Sequence, residues 1–383
     1  MHPLQAIDAG SLRSIAKPVP KSKDDEQNMG FFKFFSDNRK SMIGVDISSS
    51  AVKLIELSRS TAGYKVEAYG IVPLAPQTVV EKNIIDINAL VETIEEAITL
   101  SGATDTDTTV AVSDSSVLTK EIELPAGLTD LQMETQIEFE ADQHIPYPIE
   151  EIFFDFYVLG SVEGNQNWVR VLLAACRRDT VEIRRRALTM AGLTAKVINI
   201  ESDALELGCA LLCNKSADSA TQVSAIVDIG NTMTSFSVLA SGKIGYTQDQ
   251  MFGGQLIIHE IQRRYGMSYQ KASDISRKGP LPEGYEGDVI RPFKALLLQN
   301  IVRSLQLFYS SSQSCPVDRL FLTGGVSALK DLAAEVERTL HMPTEVANPL
   351  SKLQISPSVN QSSLIHDAPA MMLAIGLALG GLD

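Results

Sequence analysis

Two short runs in this 383-residue chain carry residue types suited to phosphate and metal. The first is Met42-Ile-Gly-Val-Asp46-Ile-Ser48-Ser49-Ser50, continued by Ala51 to Leu57. An apolar strand ending in Asp46 leads into a turn of small residues, whose consecutive backbone N–H groups form a concavity of the kind that binds phosphate oxygens, with three serine hydroxyls beside it. Lys53, early in the next strand, places an ammonium within reach of the same phosphates, and Asp46 can hold Mg²⁺ through water, since hard cations prefer oxygen ligands. The second run lies 182 positions on (228 less 46): Ala225-Ile-Val-Asp228-Ile-Gly230-Asn231-Thr232, followed by Thr234 to Leu239. It offers Asp228 as a second water-mediated Mg²⁺ holder, a flexible Gly230 and the hydroxyls of Thr232 and Thr234. Either turn alone fits a structural hairpin; two at one offset fit a clamp on a Mg-triphosphate. Because each turn joins strand to strand, neither is a dinucleotide loop or a P-loop, which need a helix after the glycines.

Two glycine pairs add to this set. Leu320-Phe-Leu-Thr-Gly324-Gly325-Val326 reads as a buried strand followed by residues that let another group approach the backbone, as a flat adenine and ribose would, or as a turn needing positive φ. Gly253-Gly254 follows the second phosphate run and has the same two readings. For hydrolysis, Glu201 and Asp203 are the acidic candidates to position a water; they open a helix after the strand Ala195 to Ile200, where acids also serve as dipole partners.

The elements that must position these residues follow from the repeat. Each copy reads as strand, turn, strand, then a third extended run (Tyr64 to Val72; Lys243 to Gln250) and helix, so two related α/β lobes with a cleft between them are expected. Between the copies, residues 118–190 change rhythm. A strand Lys120 to Leu124, a helix with the capping box Thr129-x-x-Gln132, extended runs Ile152 to Leu159 and Trp168 to Cys176, and a helix opened by Asp179-x-x-Glu182 form a small inserted module. Later come a helical region to about Tyr309, a strand Arg319 to Thr323 and an amphipathic helix Leu329 to Leu340. Arg184, Arg185 and Arg186 read as a solvated helix face, and Tyr147, between two prolines, as a rigid turn or a groove wall.

Composition bounds the function. Apolar residues at 44% and charged at 21% suit a globular protein, and a net charge of −14 argues against a nucleic-acid partner. The four cysteines lack metal or CxxC spacing and read as buried thiols. No stretch is expected to cross a membrane: Ala368 to Leu382 reads as too short and is broken by glycines. Residues 1–28 read as disordered, with Met29 an alternative start, and Phe31, Phe32, Phe34 and Phe35 as packing on the body, a partner or a membrane surface.

The order of phosphate turn, inserted module, second phosphate turn and glycine pairs is similar to the actin-like ATPase superfamily. Val52-Lys-Leu-Ile-Glu-Leu-Ser, Glu138-x-Glu-Ala-Asp-Gln-His-Ile-Pro-Tyr-Pro, Leu172-Leu-Ala-Ala-Cys-Arg and Ala374-Ile-Gly-Leu-Ala-Leu resemble the PilM family of type IV pilus assembly proteins in particular. The resemblance implies an actin-like fold of two RNase H-like lobes with a small inserted α+β (1C/SHS2-like) subdomain. It divides the chain into an extension (1–40), lobe 1 core (41–117), inserted subdomain (118–190), lobe 1 continuation and crossover (191–221), lobe 2 (222–345) and a return to lobe 1 (346–383). It further implies ATP or ADP with Mg²⁺ between the lobes, held by Asp46 to Ser50, Lys53, Asp228 to Thr234, Gly253-Gly254 and Gly324 to Val326. Ser48 stands where many relatives have glycine, and Ser273 and Ser276 where they have Glu and Lys. The implied partner is the cytoplasmic N-terminal peptide of PilN, in a groove near the insertion, with PilO and the motor ATPases engaged indirectly and the protein cytoplasmic, peripheral to the inner membrane. An FtsA-like filament protein is the alternative, although no basic amphipathic helix closes the chain; a small-molecule kinase is the third reading.

Overall fold

The computed structural model describes Lys40 to Leu382 apart from Ala62, Glu163 and residues 213–221, 280–281 and 312–314. The N-terminal extension with its phenylalanines, and Cys213, lie outside the described residues. Two compact units emerge: an N-terminal one that ends at Leu207 and regains Gln354–Val359 and Leu373–Asp383, and a C-terminal one of Gly208–Leu353 and Asn360–Met372.

In the N-terminal unit, β1 (Ser41–Ile47) is buried at every interior position, as a central strand requires. It pairs antiparallel with β2 (Ala51–Ser60), and β2 with β3 (Gly63–Pro73). A two-residue-strand hairpin, β4 (Val79–Val80) and β5 (Asn83–Ile84), precedes α1 (Ile87–Ser101). Asp86 caps α1 by accepting from the amides of Asn88 and Ala89, and Gly102 ends it at φ 67°. Then β6 (Asp107–Val112) runs parallel to β1, and β10 (Thr194–Ile200) parallel to β6, just ahead of α4 (Glu201–Ala210). Ile43, Val45, Leu54, Leu90, Ile94, Val110 and Ile198 fill the core beneath the sheet.

Inserted between β6 and β10 are β7 (Val117–Pro125), α2 (Asp130–His144), β8 (Ile152–Val162), β9 (Asn165–Arg177) and α3 (Arg178–Met190). The strands form an antiparallel sheet in the order β7-β9-β8, with its own core of Leu124, Met133, Ile137, Ile152 and Leu173. The capping box forms: Gln132 Oε1 accepts from the Thr129 amide at 3.0 Å. The box expected at Asp179 does not, because α3 starts at Arg178 with Arg177 as its N-cap, two positions earlier, and Asp179 pairs with the Arg177 guanidinium instead. Helix α3, grouped with the module on sequence, sends Val181, Ala187 and Leu188 into the core beneath the larger sheet.

The C-terminal unit repeats the larger sheet. Strands β11 (Val223–Ile229), β12 (Thr234–Ala240) and β13 (Lys243–Gln250) form the meander; α5 (Gln255–Tyr265), α6 (Tyr269–Lys278), a π turn at Glu286–Ile290 and α7 (Arg291–Ser311) follow. Strand β14 (Arg319–Thr323) lies parallel to β11, then α8 (Leu332–Leu340) and β15 (Thr344–Val346), giving the order β13-β12-β11-β14-β15. Helix α8 starts later than expected, since Gly325–Ala328 makes a 3₁₀ turn and Asp331 takes a left-handed φ of 59°. The first sheet reads β10-β6-β1-β2-β3, the same order, extended by β16 (Leu353–Ile355). The registers agree residue by residue: Asp46 opposes Lys53 and Ile47 opposes Val52, while Asp228 opposes Ser235 and Ile229 opposes Thr234, each shifted by the same 182 positions.

The chain closes with α9 (Gln361–Asp367) and α10 (Met372–Leu382). Against expectation, the helical run Gln361–Leu382 is long and apolar enough to cross a membrane, with a mean hydropathy of 1.4, but 72% of that apolar window is buried inside the protein. In α10 the burial is against β1: a Cβ on Gly44 would sit 2.0 Å from the Ala374 carbonyl oxygen, so only glycine lets strand and helix meet there.

Candidate functional site

Parallel strands gather their loops at their carboxyl ends, where open α/β sheets place ligands. In the N-terminal unit, β1 delivers Asp46 there, β6 delivers Asp114 in the 3₁₀ turn that follows it, and β10 delivers Glu201 and Asp203 in the first turn of α4. Asp46 is buried, and Lys53 Nζ lies 2.7 Å from its Oδ2. Glu201 pairs with Lys82 Nζ at 2.5 Å. Burial holds the Glu201 carboxyl above the usual range; Lys82 opposes that shift, and the nearby charges of Asp114 and Asp46 add to it. Two of these carboxylates are engaged by lysines, and among the described residues no group of three or more His, Cys, Asp or Glu side chains is placed to hold a metal ion directly, so any cation here would be held through water.

The serine turn is partly self-satisfied. Ser48 Oγ donates to the Ala51 carbonyl at 2.8 Å and accepts from the Ala51 amide at 3.2 Å, so this hydroxyl closes the turn. The Ser50 carbonyl accepts from the Leu74 amide, tying the turn to the end of β3. Ser49 lies at its tip.

In the C-terminal unit, three separately predicted motifs converge. Asp228 ends β11 beside Gly324 at the end of β14; a Cβ on Gly324, whose φ is 84°, would lie 2.5 Å from Asp228 Oδ1. The Gly230 and Asn231 carbonyls accept from the Gly254 and Gln255 amides at 3.0 and 2.7 Å, fastening the start of α5 to the second turn, which also holds Thr232. A Cβ on Gly253 would meet the Asn231 carbonyl at 2.4 Å, and one on Gly254 would meet Val326 Cγ2 at 2.9 Å. Thr234 is buried and its hydroxyl donates to the Phe252 carbonyl at 2.8 Å. Gly324, Gly253 and Gly254 thus let the protein's own turns approach one another, whereas a Cβ on Gly325 would meet nothing within 4 Å. Ser273 is buried on α6, and Ser276 hydrogen-bonds the buried Tyr285 hydroxyl.

A cavity of about 420 Å³ lies within the N-terminal unit, between the inserted sheet, the start of α3 and the β4–β5 hairpin. Its lining includes Asn83 and Ile84 of β5, Tyr147 with Ile145, Ala175 and Cys176 of β9, and Thr180, Ile183 and Arg184 of α3. The Arg177 guanidinium lies over the Tyr147 ring, 5.5 Å from its centroid.

Arg184 corrects the solvated-face reading of the triplet. It is buried while Arg185 and Arg186 are exposed, and it donates to the carbonyls of Ala111 (3.0 Å), Thr180 (2.8 Å) and Lys82 (2.9 Å). Lys82 and Asp114 were missed on sequence. Lys82 reaches Glu201 across 119 residues, a separation that no local spacing encodes.

The model of the family described as type IV pilus assembly protein PilM matches residues 44–382. This chain belongs to that family. A PilM-family fold also accounts for the solved structures it resembles. It is similar to a chain of a PilM-PilN type IV pilus biogenesis complex, with 28% identity, a TM-score of 0.72, and 90% of this chain and 99% of that one covered. The ethanolamine utilization protein EutJ from Carboxydothermus hydrogenoformans is similar in fold, at 15% identity and a TM-score of 0.51, with 92% of each chain covered. The duplicated sheets with an inserted subdomain are the actin-like ATPase fold.

Proposed function

We propose that this chain is a nucleotide-binding scaffold of type IV pilus assembly that holds the cytoplasmic N-terminal peptide of a PilN partner and is thereby peripheral to the inner membrane. The observation that carries this reading is the 28% identity to a chain of a PilM-PilN complex over 90% of this chain, together with a family match over residues 44–382 that takes in the inserted module. The cavity between that module and α3 supports it: an opening of about 420 Å³ with both apolar (Ile84, Ile183) and polar (Asn83, Thr180) walls suits a short extended peptide.

The same reading assigns ATP or ADP with Mg²⁺ to the carboxyl ends of the parallel strands. In the N-terminal unit Asp46 would hold a cation through water while Lys53 and the Ser48 to Ser50 turn face phosphate; in the C-terminal unit Asp228 and the Gly230 to Thr232 turn would serve the same chemistry, and Gly325 leaves its surface open to a nucleoside. The cation would supply charge neutralisation for the phosphates. Glu201 and Asp203 would orient a water in this reading, with the Glu201 carboxylate engaged by Lys82.

Calorimetric titration of the full chain with a synthetic PilN N-terminal peptide tests the partner. Saturable binding that falls at least about tenfold in Thr180→Arg or Tyr147→Ala is expected, since the substitutions fill or open the cavity wall. Saturable binding that both variants leave untouched would move the peptide elsewhere, and no binding at all would sink the PilN reading.

A further inference from the structure

The hairpin between β4 and β5 has one end on the carboxylate cluster and the other on the cavity. Its two turn residues, Glu81 and Lys82, have left-handed φ values of 48° and 65°, the geometry of a tight primed turn built without glycine. Such a turn persists where its surroundings hold it, and here two charged groups do so. The Lys82 ammonium pairs with Glu201, and the Lys82 carbonyl accepts from Arg184 Nη2 at 2.9 Å. Arg184 in turn donates to the Thr180 carbonyl on α3 and the Ala111 carbonyl at the end of β6. The next two residues, Asn83 and Ile84, line the cavity together with Thr180, Ile183 and Arg184.

We propose that this turn is a relay: the Lys82–Glu201 ion pair sets the position of Asn83 and Ile84 in the cavity wall, so that charge arriving at the Asp46 cluster alters affinity for the peptide in the cavity. The inference rests on the reading above, in which the cluster takes Mg-nucleotide and the cavity takes a peptide. The electrostatics supply the direction. Glu201 shares its surroundings with Asp46 and Asp114, and Lys82 is the cation that pairs with it. The Lys82 ammonium is drawn from Glu201 by an added phosphate anion and displaced from it by an added divalent cation, so both components of a Mg-nucleotide loosen the pair. A looser pair removes one of the charged tethers on the turn while the Arg184 bond to its carbonyl remains, and the two ligands then differ in affinity for the two arrangements, which is what coupling requires.

The test is peptide titration of the full chain, with and without Mg-ATP, in the wild type, Lys82→Met and Lys82→Arg, with hydrogen exchange of the ligand-free proteins alongside. Wild type should show a change in peptide affinity of about fivefold or more on adding Mg-ATP, within the usual range of coupling between sites. Titrated at Mg-ATP concentrations that saturate each variant, Lys82→Met should show that ratio collapsed to within about twofold, whatever its affinity for Mg-ATP alone, and Lys82→Arg should restore it. Without ligands, Lys82→Met should speed exchange at the Ile85 and Asp86 amides, which donate to the Thr78 carbonyl at 2.9 and 3.2 Å. A ratio that survives in Lys82→Met overturns the relay while leaving the functional reading intact, as does a wild type that binds both ligands without influence of one on the other. A wild type that binds neither ligand overturns the functional reading, and the relay with it.

Discussion

Asp46 faces Lys53 across β1 and β2, carboxylate to ammonium at 2.7 Å, whereas Asp228, its counterpart 182 positions on, faces Ser235. The two copies share a backbone register but not a charge: the first turn carries its own cation, and the second copy has a hydroxyl at that place. Removing the ammonium should therefore be costly, because the Asp46 side chain is only 6% exposed. Lys53→Met is expected to lower stability by about 2–4 kcal/mol, the range for stranding a buried carboxylate. Urea unfolding checks it, and Asp46→Asn in the Lys53→Met background should recover part of the loss. A cost below about 0.5 kcal/mol would mean that the pair behaves like an exposed one.

The glycine pair ending β14 separates packing from ligand contact. Gly324→Ala combines a left-handed φ with a Cβ that would press on Asp228 and on the Ile229 carbonyl, and should cost more than about 2 kcal/mol. Gly325→Ala adds a methyl group into open space, and should change stability by less than about 0.5 kcal/mol. If a nucleoside lies on Gly325, that variant loses nucleotide affinity at unchanged stability; denaturation and nucleotide titration of the same preparation read the two effects separately.

Helix α5 carries a local acid-sensitive contact. Hydrogen bonds from Arg263 and Arg264 hold the Glu260 carboxyl down at about 2. A depressed folded-state value means that the contribution is present above the ordinary carboxylate pKa and is lost as pH falls toward 2. Glu260→Gln should therefore lie slightly below wild type at pH 7 and meet it as pH falls from about 4.5 to 2, by a small margin because solvent screens these surface ion pairs. Urea midpoints across that pH range, compared with wild type, decide it.

The repeat and its registers were legible because a central strand, a turn of small residues and a second strand leave the same pattern wherever they recur. Asp46 and Asp228 could be placed at strand ends from that pattern alone. What escaped was set by contacts between distant segments. Strands β4 and β5 have two residues each, too few to show a period of two, so the hairpin that carries Lys82 left no signal. Arg184 sits in a basic triplet that reads as solvated; its burial follows from three carbonyls on three different elements. The glycine pairs read on sequence either as close approaches by a ligand or as turns needing positive φ; Gly324 takes a φ of 84°, and the groups that crowd Gly324, Gly253 and Gly254 include the chain's own Asp228, Asn231 and Val326. The start of α3 escaped because Asp179 has the residue type of an N-cap but stands two positions after the actual cap, Arg177.

Cys176 lines the cavity, and burial pushes its thiol up to about 11, against a smaller opposing influence of Arg184. The folded state therefore binds this proton more tightly than the unfolded chain does. The stability so contributed is fully present below the ordinary thiol value and is lost as pH rises from about 9 to 11. Two outcomes follow. At pH 8 only about one part in a thousand of Cys176 is thiolate, so iodoacetamide should label the half-exposed Cys315 first and reach Cys176 only on unfolding, as peptide mass spectrometry would show. Between pH 8 and 10.5, the urea midpoint of wild type should fall further than that of Cys176→Ala, since the variant lacks the titrating group; equal falls would show that Cys176 ionises in the folded protein as it does in the unfolded chain.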